Sequence, residues 1–407
     1  MRILIITDSF PPEVRSSSHL MKEMADGLKE KGHEVFVVTS YPQHHVIGDY
    51  KISGVLSIED EINVIRAKVM PHHNVNFILK GLSQISLPFL FFRAVKRHIL
   101  GRLDIVFVHS PPLPLAIAAN LVKKHYGARF FLNVQDFFPQ NAVDLGILKN
   151  KLLIRFFQKM ERSAYKNCDS IVTPSEGHKR FLMEKRGVPS EKINVVPHWI
   201  DVKEFETAKK TGRFRKLYGV ENKFIFLFGG VFGPSQGLDI FIRIAAKFQN
   251  YKDIIFLFVG DGSEREKLVN LTKFLGLNNV IFKPLVSKAD YPELVKDADV
   301  AILSLTSANT TPAVPAKLIG YMAAGVPVLA FLHKESDGIK IIEEASCGLV
   351  CVSSDEEKAF ELTQKIYSEK DKLKSYGENG QKYALAHFNK ELCVGKLEKL
   401  FLEEYVD

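Results

Sequence analysis

A repeating pattern limits what this chain can fold into more than any other feature. Short apolar runs recur along its 407 residues, and most are followed by a longer stretch with helical spacing. "RILIIT", "EVFVVTS", "INVIRAKV", "DIVFVHS", "RFFLNVQD", "SIVTPS" and "INVVPH" read as strands. Several are almost continuously apolar, as parallel strands covered on both faces should be. Between them, "SSHLMKEMADGLKEKG" sets Leu20, Met24 and Leu28 on one helical face and stops at Gly32. The pattern restarts with "FIFLFGG", "IIFLFVGDG", "VIFKP", "VAILSL", "PVLAF" and "GLVCV". The expectation is α/β, with two doubly wound parallel sheets facing a deep cleft and ligands outside the carboxyl ends of the strands. The polar, turn-rich stretch 197–213 marks the hinge. The first domain is expected over 1–200 and the second over 201–384, with a terminal helix over about 385–407 packing back on the first.

Charge divides the halves. Residues 1–210 hold 30 Lys and Arg against 21 Asp and Glu, whereas residues 211–407 hold 25 against 26. The basic half suggests an anionic partner. No nucleic-acid motif is present, which leaves an anionic membrane surface and excludes a nucleic-acid partner. The stretch 76–102 carries Phe77, Ile78, Leu82, Ile85, Leu87 and "PFLFF", followed by Arg93, Lys96, Arg97 and Arg102. It reads either as a core helix with a solvated basic end or as an apolar surface with a cationic collar lying in a membrane interface. The four cysteines have no metal or redox spacing, which suits reduced thiols in a cytoplasmic protein. "MRILIITDSF" reads as a first strand rather than a secretory leader, and no run reaches membrane-spanning length.

Four strand-to-helix junctions could carry chemistry. "LFGGVFGPSQGLD" offers Gly229, Gly230, Gly233 and Gln236 without matching a dinucleotide or Walker pattern. "FVGDGSEREKL" adds Gly260, with Ser263 as a helix cap. "VPAKLIGYMAAGVPV" puts Lys317 at the start of an apolar helix, where the macrodipole already supplies positive charge. A cation there calls for something negative opposite, such as a diphosphate. The fourth junction pairs His109 in "FVHSPPLPLA" with Asp136 in "NVQDFFPQNAVDLGIL", polar groups at strand ends before proline turns. A cap or turn role is the plain alternative for both. Asp297 and Asp299 form a D-x-D that reads as a helix end before a buried strand, not as a metal site.

Together these stretches resemble the GT-B-fold glycosyltransferases of family four. The likeness is closest to the branch of bacterial N-acetyl-fucosaminyl transferases and related O-antigen and capsule enzymes. It runs over essentially the whole chain, including "SFPPEVRSSSHLMKEMADGLKEKGHEV" and "VQDFFPQNAVDLGILKN". The resemblance implies two Rossmann-like domains and a retaining, metal-independent transfer without a cofactor. The donor would be a nucleotide-sugar, UDP-linked, held by the second domain. Gly230, Gly233, Lys317 and the helix-start amides at Ala316, Lys317 and Leu318 would hold its diphosphate, with Gln236 and Gly260 also at the donor. The segment Phe282–Val286, with Pro284 and Val286, would contact the base through its backbone. The first domain would present a polyprenyl-diphosphate-linked saccharide, with His109 and Asp136 near the transferring sugar. The enzyme would work at the inner face of the cell membrane. The sequence departs from the family where two glutamates usually stand eight apart, the second contacting the ribose; here those positions are Pro312 and Gly320. Gln236 stands near a common lysine, and Val231 replaces an expected Asn. Two alternatives stay open: a nucleotide-sugar 2-epimerase of the same fold, and a donor-binding scaffold with weakened catalysis.

Overall fold

The computed structural model describes residues 1–13, 15–42, 54–70 and 77–406, with the backbone course alone at 77–82, 405 and 406. The chain divides into two compact units, Met1–Trp199 with Lys390–Asp407, and Ile200–Asn389.

In the first unit eight strands form one sheet: β1 (Arg2–Ile6), β2 (Glu34–Ser40), β3 (Leu56–Glu59), β4 (Ile62–Ala67), β5 (Ile105–Ser110), β6 (Arg129–Val134), β7 (Ser170–Thr173) and β8 (Ile193–Val195). Their order is β3-β4-β2-β1-β5-β6-β7-β8, and all pairings are parallel except β3 with β4. The antiparallel edge strand β3 escapes the sequence reading. It turns into β4 through Asp60 and Glu61, both at positive φ (46° and 66°), as a tight primed hairpin turn requires. Neither residue is the glycine that normally signals such a turn.

Side chains alternate across β1, and both faces are buried. Leu4 and Ile6 meet Leu87, Phe91 and Val95 of the helix Phe77–His98, Val122 of the helix Leu115–Tyr126, and Ala164 of the helix Lys151–Asn167. Ile3 and Ile5 meet Met21, Met24 and Leu28 of the helix Ser16–Glu30, with Val394 and Phe401 of the helix Lys390–Val406. The expected single terminal helix is two: Leu373–His387 belongs to the second unit, and the chain passes to the first after Asn389.

The second unit carries β9 (Phe224–Val231), β10 (Ile254–Asp261), β11 (Val280–Lys283), β12 (Val300–Ser304), β13 (Val328–Leu332) and β14 (Gly348–Val352). Their order is β11-β10-β9-β12-β13-β14, parallel throughout. Phe226 and Phe228 fill one core, Ile225 and Leu227 the other. The D-x-D is structural. Asp297 accepts from the amides of Gly212 and Phe214 at 2.8 and 2.9 Å, and Asp299 accepts from Arg215 and the Ile225 amide. Ser263 does not cap its helix, which starts at Arg265 after Glu264.

Candidate active site

In the second unit, polar groups gather where β9, β10 and β12 end. β9 nears its carboxyl end through Gly229 and Gly230, the latter at φ +134°, where side chains are disfavoured. A Cβ on Gly230 would lie 2.5 Å from Cε of Lys317, so the lysine stem occupies that space. Gly260 is paired with Gly230 in register, and its Cβ would fall 1.9 Å from the Gly230 carbonyl oxygen. Close packing of two strands thus accounts for the glycine at 260, which was expected at the donor. Gly233 has open space where a Cβ would stand.

The helix Ala316–Ala323 starts beside this turn, with Pro315 before it and no side-chain cap. Tyr321 on that helix accepts the Gly229 amide at 3.1 Å, tying helix to turn. Among the described residues the amides of Ala316 and Lys317 have no acceptor, as the first turn of a helix leaves them. Leu318 corrects an expectation: its side chain is buried, and its amide bonds to the Pro315 carbonyl at 3.0 Å. Lys317 is half-buried, and its Nζ lies 5.2 Å from the Phe228 ring centroid. It has no carboxylate partner among the described residues, and lost hydration lowers its pKa to about 8.

Around them, the Gln236 carbonyl accepts from Ser304 Oγ at 2.5 Å, while Gln236 Oε1 is buried without a partner. After β11, Pro284 is exposed and Val286 packs partly on the core. Gly320 is buried, and a Cβ there would meet Ile200, Phe205 and Tyr291 at 3.7 to 3.9 Å. The position that usually carries a ribose-binding glutamate therefore looks into apolar side chains.

In the first unit, polar residues gather at or after the carboxyl ends of β5 to β8. His109 is the next-to-last residue of β5, buried, its Nδ1 3.4 Å from the Asn133 side-chain nitrogen. Burial lowers its pKa to about 4, with Asp8 opposing, so the ring is neutral near pH 7. After β6, the Gln135 amide donates to Asn133 Oδ1 at 2.5 Å and its Oε1 meets His198 Nε2. His178 Nε2 lies 3.3 Å from the Gln135 carbonyl, and its ring stacks on Phe137 at 5.2 Å. Gln135 is thus held on two sides, directly before Asp136. Asp136 is exposed to solvent, with Asn141 Nδ2 at 3.4 Å. Crowding by protein raises its pKa while His178 opposes. His198 follows β8, its pKa lowered to about 3 by burial and then by His178 and His109.

Asn133, Gln135, His178 and His198 are absent from the sequence-based site. Asn133 could have been found as a polar residue near the carboxyl end of β6, as His109 was on β5; Gln135, His178 and His198 are brought to it only by the folded sheet.

Two such sheets, the second with a lysine at a glycine turn, have the make-up of the Rossmann-like domains of a GT-B glycosyltransferase, and known proteins identify the family. The chain matches "Glycosyltransferase Family 4" over residues 18–204 and "Glycosyl transferases group 1" over 211–383. It belongs to the GT-B glycosyltransferases of family four and is a transferase. WcaI of Escherichia coli K12, named for colanic acid biosynthesis glycosyl transfer, is 27% identical over 334 residues, 80% of this chain and 82% of that one. WbjE of Pseudomonas aeruginosa, named as a glycosyltransferase, is 28% identical over 296 residues, 70% of this chain and 71% of that one. A pyrophosphoryl-undecaprenol N-acetylglucosamine transferase of Caldicellulosiruptor saccharolyticus is 24% identical over 362 residues, 84% of this chain and 87% of that one. Among solved structures, sucrose-phosphate synthase of Thermosynechococcus elongatus superposes with TM-score 0.79 at 14% identity, covering 99% of both chains. Anabaena HepE with UDP and glucose gives 0.75 at 15% identity, covering 99% of this chain and 100% of that one.

Proposed function

We propose that this chain is a retaining, metal-independent glycosyltransferase. It moves a sugar from a UDP-linked donor to a lipid-linked saccharide during synthesis of a bacterial surface polysaccharide. The observation that carries the donor half of this reading is Lys317. Among the described residues it is a cation without a counter-ion, laid over Gly230, at the head of a helix whose first two amides have no acceptor there. A diphosphate would take all three donors. Its developing charge, as the sugar–phosphate bond breaks, would be met by groups already in place. Gly233 leaves room for the phosphates, the buried Gln236 Oε1 would accept from a hydroxyl of the donor, and the backbone at Pro284 and Val286 would meet the base.

The first unit presents the acceptor. Neutral His109 and solvent-facing Asp136 orient sugar hydroxyls, with Asn133, Gln135 and His198 holding that edge in register. A lipid-linked acceptor fits the basic composition of this half and the printed name of the undecaprenol-linked relative. Among the described residues no helix is long and apolar enough to cross a membrane. We therefore propose peripheral attachment at the inner face.

Thermal stabilisation by UDP-, GDP- and dTDP-sugars tests the donor site. A ligand at about a hundred times its Kd adds roughly 2.7 kcal/mol, several degrees in Tm. The expected result is a rise with UDP-sugars that disappears in Lys317→Met. No rise with any donor, or an equal rise in the variant, would refute the assignment. Asp136→Ala should lower transfer at least tenfold while leaving the donor-induced rise intact.

A further inference from the structure

We infer that the outer face of the helix Lys151–Asn167 docks on an anionic lipid bilayer, with Leu152 and Phe156 entering it. The choice of partner rests on the lipid-linked acceptor proposed above; the surface itself rests on the following observations. Every exposed position of this helix is cationic or apolar except Ser163. Lys151, Arg155, Lys159, Arg162 and Lys166 are exposed, and none has an ion-pair partner among the described residues. The helix has one carboxylate, Glu161, which is buried against Arg186 and Tyr165. Leu152 is 73% exposed, Phe156 47% and neighbouring Ile147 63%. Long apolar side chains left this open beside uncompensated cations have the make-up of an interfacial helix.

The direction of the helix matters as much as its composition. It connects parallel strands β6 and β7, so it runs antiparallel to them and begins at the carboxyl edge. Asn150 caps that start, its Oδ1 accepting from the amides of Leu152 and Leu153 at 2.9 and 3.2 Å. Ile147, Leu152 and Phe156 therefore lie towards the edge that holds Asp136 and His109, with Lys151 and Arg155 among them and Lys159, Arg162 and Lys166 farther along the helix. The helix Phe77–His98 covers the same sheet face and repeats the design. Ile85 and Phe89 are exposed at its middle, and Arg93, Lys96 and Arg97 are exposed in the turns that follow, with no ion-pair partner among the described residues. Both helices thus present exposed apolar side chains beside uncompensated cations. A bilayer with anionic headgroups satisfies both, and it would keep the lipid anchor of an acceptor close to that edge. A folded protein partner would need a matching acidic surface and would not require the apolar ends.

Flotation with phosphatidylglycerol-containing vesicles, and with pure phosphatidylcholine, tests the inference on the full chain. Wild type should float with the anionic vesicles, more weakly near ~1 M salt. Leu152→Ser/Phe156→Ser should cut partitioning roughly tenfold or more, as loss of two inserted side chains implies. Arg155→Ser/Lys159→Ser/Arg162→Ser should remove the preference for anionic lipid. Unchanged Tm and turnover on a water-soluble acceptor would show that both variants fold. Failure of wild type to bind anionic vesicles overturns the inference, as does wild-type partitioning in both variants. Loss confined to Ile85→Ser/Phe89→Ser would move the surface to the other helix and leave the acceptor reading standing. Transfer by wild type to the soluble acceptor is read separately, so failure of the enzyme reading cannot be mistaken for failure of docking.

Discussion

At Lys317 stability and binding should pull in opposite directions. Its pKa is lowered to about 8 because the ammonium gives up hydration and gains no counter-ion. An amine with a lowered folded-state pKa binds fewer protons than in the unfolded chain. Stability tied to it therefore rises with pH between about 8 and the ordinary lysine value, and the charged form is a cost below that window. Lys317→Met removes the cost and keeps the stem that fills the space over Gly230. The ligand-free variant is expected to melt no lower than wild type, and up to a few degrees higher at pH 7, while donor affinity falls at least tenfold. Donor binding by wild type should weaken about tenfold per pH unit above 8, since the proton must be taken up on binding. Calorimetric titration from pH 7 to 9.5 checks this; a flat profile would remove the ammonium from the phosphate site. Gly230→Ala attacks the same spot from the other side. Its Cβ would strike Cε at 2.5 Å in a backbone conformation that alanine disfavours, so both Tm and donor affinity should drop.

At the scale of elements, the helix Phe77–His98 shows where sequence alone divides and where it stops. Apolar and basic residues in one stretch fit both a core helix and an interfacial one, and the structure assigns them to different faces. Phe91 is fully buried with Leu87 and Val95, so it belongs to the core rather than to a lipid surface; Phe89 is exposed. The side chains of Phe77, Ile78 and Leu82 lie outside the described residues. Phe91→Ser should therefore cost about 3 kcal/mol or more of stability in urea unfolding, and Phe89→Ser less than about 0.5. Equal effects would contradict the assignment of faces. The same contrast explains what else could be read from the sequence. Thirteen strand segments in "RILIIT" through "GLVCV" were legible because continuous apolar runs have one stable use between helices. β3 was not, because Ile58 faces solvent on an edge and the turn beyond it uses Asp60 and Glu61 at positive φ. Lys317 was legible because its charge conflicts with its place in a helix. Gln135 and His198 were not, because their partnership exists only once β6 and β8 share a sheet. The packing role of Gly260 was not legible for the same reason: what meets it is a neighbouring strand's carbonyl.

For each unit as a whole, the polar edge sets a dependence on pH. In the first unit His109 and His198 are held neutral, with pKa values lowered to about 4 and about 3. The unfolded chain protonates both near the ordinary histidine value, so below about 6.5 it binds more protons than the native state. Stability contributed by these rings is therefore fully present above that pH and is lost as pH falls. By pH 5 His109 alone accounts for about 2 kcal/mol of loss, and charging one ring also disfavours the other. Trp199, the only tryptophan, is buried in this unit beside His198 and reports its unfolding. Urea midpoints followed by its fluorescence should fall steadily from pH 7 to pH 5. His198→Gln cannot titrate and should flatten part of that fall, at the cost of a lower midpoint at pH 7 if its bond to Gln135 is lost. A midpoint indifferent to pH over this range would mean that both rings titrate normally in the folded unit. The neutral edge proposed to orient the acceptor would then be wrong at its central residue, His109.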